Sequence, residues 1–156
     1  MIFSLCMCSQ SGQNPSPDEF SEIIEKLEIV IENVEVKNNV GKFTPKDGNY
    51  FLAVLLTITN TNDLLINGGG SGSHAFKLIS QDGYILPAVN TSPSIWHPHI
   101  LGWRADEIPP NETMKGWILF EIPNDIKAKA IVFEVDEITA PLKLRAIGKA
   151  VIEIPI

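Results

Sequence analysis

Cysteine is absent from the sequence after position 8. Only Cys6 and Cys8 are available, both in the N-terminal tail, so no disulfide can cross a core and the bulk of the chain has no thiol nucleophile. Basic residues are also scarce: 12 Lys and Arg stand against 19 Asp and Glu, a net charge of -7. That balance argues against nucleic acid as a partner, because its phosphates need a basic face. No apolar run approaches the ~20 residues that a membrane-spanning helix requires, so a membrane could be reached only through a tether. Catalytic signatures are missing too. There is no Gly-x-Ser-x-Gly elbow, and the adjacent acids Asp106–Glu107 and Asp136–Glu137 would point to opposite faces of a strand rather than act as a matched acid and base. These absences together point away from an enzyme.

What is present suits one globular domain. The 156 residues are 44% hydrophobic and 20% charged, and a chain of this length buries about two-thirds of its unfolded surface. The acidity is uneven. Residues 17–37 hold seven acids (Asp18, Glu19, Glu22, Glu25, Glu28, Glu32 and Glu35) against Lys26 and Lys37, a charge pattern expected of a solvated face, with docking of a basic partner as the other reading.

The chain opens with the apolar "MIFSLCMC", followed by the polar, Pro/Ser/Gly-rich "SQSGQNPSP". A secretory signal has a positive start and 7–15 apolar residues; residues 1–15 therefore read as a truncated signal and a tether. "LCMC" is similar to a bacterial lipobox with Cys8 as the lipidated residue, although Met7 replaces the small residue such a box carries before its Cys. Three placements follow: membrane-tethered lipoprotein, secreted protein, or cytoplasmic protein with an apolar tail. The expectation is an extracytoplasmic one.

A single domain is expected over residues 16–156. "SPDEFSEIIEKLE" carries a helix-start signature, with Ser16 at the N-cap, Pro17 first in the helix and Glu19 placed for a capping box. Phe20, Ile23, Ile24 and Leu27 follow at helical spacing, which predicts one short amphipathic helix lying on the domain. Beyond it the pattern has period two. Leu27, Ile29 and Ile31 share a face, then the phase slips to Val34 and Val36, as a bulge near Glu32–Asn33 would cause. "YFLAVLLTITN" is apolar on both faces, the mark of a central strand covered on both sides. "HAFKLIS" and "YILPAV" flank the turn "QDG", where Gly83 can take a positive φ. "MKGWILFEI", "AIVFEV" and "LKLRAIGKAVIEI" supply the remaining strands. Seven or eight strands and one helix predict an all-β, antiparallel β-sandwich.

Four of these segments, "YFLAVLLTITNTND", "FKLISQDGY", "IPPNETMKGWILFEIPND" and "AIVFEV", resemble an immunoglobulin-like family of domains of unknown function. It is common in bacterial and archaeal lipoproteins and secreted proteins. The matching residues are the turn Asn60–Asp63, then Phe76, Asp82 and Gly83, and then Pro110, Gly116, Phe120, Glu121 and Pro123. The family is similar to a secreted mycobacterial antigen and, more distantly, to an intracellular bacterial proteinase inhibitor. The resemblance implies an immunoglobulin-like fold and an extracytoplasmic setting over roughly residues 28–136, and leaves function open. Residues 90–108 depart from the family pattern.

That departure holds "SIWHPHILGW", with two of the three histidines and two of the three tryptophans. If the backbone is extended, His97 and His99 project to one face and suit Zn²⁺ or Cu²⁺. A third ligand would then have to come from His74, Asp106 or Glu107. Alternatively, Trp96 and Trp103 form a platform for a sugar ring or a protein partner. A third reading has Trp96, Ile100, Leu101 and Trp103 folding back to cap the sandwich. The glycine-rich "NGGGSGSH" (67–74) precedes a β pattern and lacks Gly-Lys-Ser/Thr, so a flexible inter-strand loop is expected rather than a phosphate cradle. Asn90 and Asn111 head glycosylation sequons, but Asn111 also suits the turn "PPNET". The sequence thus predicts a non-enzymatic extracytoplasmic binding or structural module. An unknown protein or glycan is its expected partner, with no cofactor, and Zn/Cu binding through His97 and His99 is the alternative.

Overall fold

Alternating apolar residues become eight strands: β1 (Leu27–Lys37), β2 (Asn49–Asn60), β3 (Ile66–Gly68), β4 (Phe76–Ser80), β5 (Ile85–Pro87), β6 (Thr113–Pro123), β7 (Ala128–Ala140) and β8 (Lys143–Glu153). They come from a computed structural model, which describes residues 22–68, 76–89, 108–140 and 143–155. Every strand pairing is antiparallel. The first sheet runs β1-β2-β6. The second is built around β7, which carries β8 along one edge and β4 then β3 along the other, with β5 outside β4. The two sheets face each other as an immunoglobulin-like β-sandwich.

β2 holds the first sheet together. Leu52, Val54, Leu56 and Ile58 point inward and meet Ile118, Phe120 and Ile122 of β6 and Phe76, Leu78, Ile131, Phe133 and Val135 of the second sheet in one core. Phe76 and Phe133 are register partners, and their rings stack at 4.8 Å between centroids, an arrangement that adds to simple area burial. The other face of β2 is buried as well. Phe51 and Ala53 join Leu119 of β6 under Val40, with Val89 and Trp117 packed alongside. The doubly apolar reading of this strand therefore describes its environment.

The phase slip in β1 is a bulge. Ile31 pairs with Leu56 and Asn33 with Leu55, leaving Glu32 as the extra residue. The insertion lets Ile29, Ile31 and Val34 all pack against the core; without it, Val34 would turn outward, because side chains alternate strictly along a strand, while Val36, toward the end of β1, stays largely exposed.

Residues 22–25 are helical, and Ile23 and Ile24 pack on the core. Ile24 also lies against β8, where a Cβ on Gly148 would sit 3.5 Å from its side chain. The helix start proposed at Ser16–Glu19 lies outside the described residues. Leu27, the last residue of the helical stripe, already begins β1.

Gly41, Gly48, Gly83 and Asn111 have positive φ, and the turns at Gly83 and Asn111 are those the sequence marks. In "QDG", Gly83 has φ 85°, its N–H donates to the Ser80 carbonyl at 3.1 Å, and Ser80 and Tyr84 close the hairpin between β4 and β5. In "PPNE", the Glu112 N–H donates to the Pro109 carbonyl at 3.2 Å. Pro110 and Asn111 occupy the two central positions, and Asn111 has φ 61°, the arrangement of a type II turn.

One expectation needs correction. Asn67 and Gly68, assigned to a flexible loop, lie in β3 opposite Asp136 and Val135. The cause is tertiary: Ile66 is fully buried and bridges to Ile108 through both backbone groups, which carries the next residues onto β7.

Because Asn111 is the one non-glycine residue with positive φ among those described, its substitution should separate conformation from chemistry. Asn111→Gly is expected to keep stability within about 0.5 kcal/mol, whereas Asn111→Val should lose about 1–2 kcal/mol. Urea denaturation midpoints of the two variants check this.

Candidate functional site

The segment singled out by its tryptophans and histidines is held at both ends. On entry, the Val89 N–H donates to the Leu119 carbonyl of β6 at 2.7 Å. On exit, Ile108 exchanges backbone hydrogen bonds with Ile66 of β3 at 2.7 and 3.1 Å and is fully buried. One root is therefore fixed to the first sheet and the other to the second. The exit lies next to the turn that starts β6 at Thr113, and the entry lies at Leu119. These points are about 20 Å apart along the strand, whereas residues 90–107 could reach about 60 Å when extended. The insertion is much longer than a connection needs.

Trp96, Trp103, His97 and His99 lie outside the described residues, as do Cys8, His74, Asp106, Glu107 and Asn90. Among the described residues, no group of three or more His, Cys, Asp or Glu converges as a metal site would. Likewise, no helix among them is long and apolar enough to cross a membrane.

The exit root is stabilised by a buried amide network. Asn60 ends β2 and is fully buried. Its Nδ2 donates to the carbonyls of Leu64 and Ile108, both at 2.8 Å. Its Oδ1 accepts from the backbone and side-chain N–H groups of Asn62, both at 3.0 Å. Its backbone N–H reaches Glu112 O, and its carbonyl accepts from the Asn111 N–H. Asn62 extends the network to the helix through Ile23 O at 3.0 Å, and Thr61 does so through Lys26 O. In the sequence this junction shows as an Asn-x-Asn step after an apolar strand, within the turn Asn60–Asp63 that carries the family resemblance.

Two carboxylates also do structural work. Glu121 accepts from the Lys46 N–H at 2.8 Å and from Asn49 Nδ2 at 2.9 Å, and these bonds hold its carboxyl below the usual carboxylate range. It ties the β1–β2 connection to β6. Glu32, at the bulge, takes hydrogen bonds from Lys115 of β6 and Thr57 of β2, and its carboxyl is lowered mainly by Lys115. The bulge borders an open depression of about 270 Å³ lined by Ile31, Glu32, Asn33, Val34 and Pro155. It presents no paired acid and base, since its one carboxylate is already tied to Lys115 and Thr57.

The fold defines a class first: a β-sandwich whose interior is filled by side chains and whose distinctive segment is an insertion anchored to both sheets. The chain belongs to a family described as a domain of unknown function (DUF4352), which matches residues 19–146. A functionally unknown protein from Listeria monocytogenes has a similar structure, with TM-score 0.50, 15% identity, and coverage of 85% of this chain and 79% of that one. A secreted protein from Mycobacterium tuberculosis, MPT63, is similar at TM-score 0.48 and 14% identity, covering 76% of this chain and 78% of that one. An uncharacterized beta-sandwich protein from Clostridium difficile is similar at TM-score 0.43 and 16% identity, covering 84% and 87%. No curated protein matches the sequence. At these identities the similarity shows the fold.

Removing the Asn60 side chain would take the amide partner from the Leu64 carbonyl and the Asn62 backbone N–H, and would leave the Ile108 carbonyl and the Asn62 amide with one bond fewer each. Asn60→Ala should therefore cost roughly 3 kcal/mol, while Thr61→Val at the exposed neighbour should cost about 1 kcal/mol; thermal and urea unfolding check both. The carboxylates predict a pH dependence of defined sign. Glu121 and Glu32 are lowered from 4.5 in the folded state. The stability they contribute is present above that ordinary value and is lost as pH falls through the depressed folded one. Glu121→Gln should flatten the fall in denaturation midpoint across this acidic window, and should leave the curve near pH 7 parallel to wild type.

Proposed function

We propose that this protein is a non-enzymatic extracytoplasmic binding module that engages a protein or glycan partner through residues 90–107, with Trp96 and Trp103 as contact residues. The observation that carries this reading is the pair of roots. Val89 and Ile108 are fixed to opposite sheets, so the sandwich serves as a rigid mount for a segment much longer than a connection needs, and binding residues tend to sit on such segments. Indole rings suit stacking on sugar faces and burial against protein.

A non-catalytic role agrees with the structural use of Glu32 and Glu121, each engaged by neighbouring strands. The extracytoplasmic setting is supported by the apolar start of the chain and its polar tether, with Cys8 as lipid anchor. In cells, Cys8→Ala should abolish incorporation of labelled fatty acid and release the protein from the membrane fraction.

The binding reading is tested by following tryptophan fluorescence during titration with soluble cell-wall oligosaccharides, beside calorimetric titration of Zn²⁺ and Cu²⁺. A saturable fluorescence change should be lost in Trp96→Ala/Trp103→Ala and kept in His97→Ala/His99→Ala. Metal binding at micromolar affinity that disappears in the histidine variant would instead assign the segment to Zn²⁺ or Cu²⁺ and overturn the aromatic reading.

A further inference from the structure

Among the described residues each sheet leaves strand edges without a strand partner, and they differ in quality. Among the described residues β1 pairs only with β2, and its bulge at Glu32 divides the edge at its middle, a common protection against unwanted pairing. β3 and β5 have three residues each. β8 has a bulge of its own at Ile147, but beyond it, from Gly148 to Glu153, its register is unbroken, and among the described residues it pairs only with β7.

The backbone orientation along this edge follows from one hydrogen bond. The Ile154 N–H donates to Lys129 O at 2.9 Å, toward β7. Polar groups alternate along a strand, so Ile152 and Ala150 also face β7, and the N–H and C=O groups of Lys149, Val151 and Glu153 face outward. The same three residues share the outer face of the sheet. Val151 is 61% exposed and stands beside Val132 of β7. Lys149 makes only a loose 3.7 Å ion pair with Glu134, which is already held by Lys77 at 2.6 Å. Glu153 is exposed and has no ion-pair partner among the described residues.

We propose that the β8 edge pairs antiparallel with the β8 edge of a second copy of this chain, centred on Val151, so that Lys149 of each copy faces Glu153 of the other. The sequence around Val151 is self-complementary in this register. A twofold axis through Val151 puts valine opposite valine and lysine opposite glutamate on both sides, as an isologous contact requires. The outward-facing residues are the same three, so each of these pairs is of the narrow type and exchanges two backbone hydrogen bonds. The second sheet of one copy then continues into that of the other, and the exposed Val151 is covered. This contact does not depend on the binding role of residues 90–107.

Sedimentation equilibrium of the full chain tests it, with reductant present so that Cys6 and Cys8 cannot link copies. The contact is small, so a weak dimer is expected over concentrations up to about 1 mM. Lys149→Glu and Glu153→Lys should each weaken the dimer at least tenfold by setting like charges opposite each other, and the double exchange should restore it to within about threefold. Val151→Pro should leave a folded monomer, because the N–H it removes has no partner among the described residues. A wild-type chain that stays monomeric throughout would overturn the proposal. So would a dimer that Val151→Pro leaves intact, or single charge variants whose loss the double exchange does not repair.

Discussion

The side chain of Asn60 is the constraint on which the arrangement of this sandwich depends. Its amide is buried where four pieces of chain converge: the end of β2, the Asn62–Leu64 turn, the exit of the long insertion at Ile108, and the turn leading into β6. A buried amide without partners is costly, whereas one with every donor and acceptor used is directional. Apolar packing could hold these segments together equally strongly, but it would not set their relative register. Asn62 passes the same constraint to the helix through Ile23, so the N-terminal segment, both sheets and the insertion all refer to one point.

This local order contrasts with the sheets themselves, whose interior is apolar and continuous. Leucines and isoleucines from β2, β6 and β7 fill it, with the stacked Phe76–Phe133 pair in the second sheet. The polar side chains that matter are placed where strands end or slip. Glu121 holds the β1–β2 connection onto β6, and Glu32 sits at the bulge and reaches across β2 to Lys115. These carboxylates are engaged by cross-strand donors and serve the fold. The insertion between Val89 and Ile108 is held at both roots by backbone hydrogen bonds that these side chains do not share.

Much of this was legible from residue order. The slip from Ile31 to Val34 marked the bulge, since one extra residue is the only way to keep both on the core face. The two apolar faces of "YFLAVLLTITN" marked the central strand, and the second face turned out to need Val40 and Val89 as its cover. "QDG" and "PPNE" marked turns because few residues accept a positive φ. The polar pins were harder to read. Asn60 was visible as part of the family's turn Asn60–Asp63, but not as a buried pin, because its partners at Leu64 and Ile108 are carbonyls, which every residue carries. Glu121 was visible as part of a family pattern, but its bonds to Lys46 and Asn49 lie more than seventy positions away.

The sequence by itself determined the class of fold, the strands and their inward faces, and the left-handed turns at Gly83 and Asn111, because these depend on periodicity and on backbone sterics that act within a few residues. The tertiary structure alone decided which strands became neighbours and that β3 and β4 share one edge of β7. It also decided that Glu32 and Glu121 are bound to opposing strands, and that among the described residues β8 ends the second sheet with a regular edge from Gly148 to Glu153. Those outcomes depend on groups far apart in the chain arriving at one place, and neither composition nor local pattern encodes the distance between them.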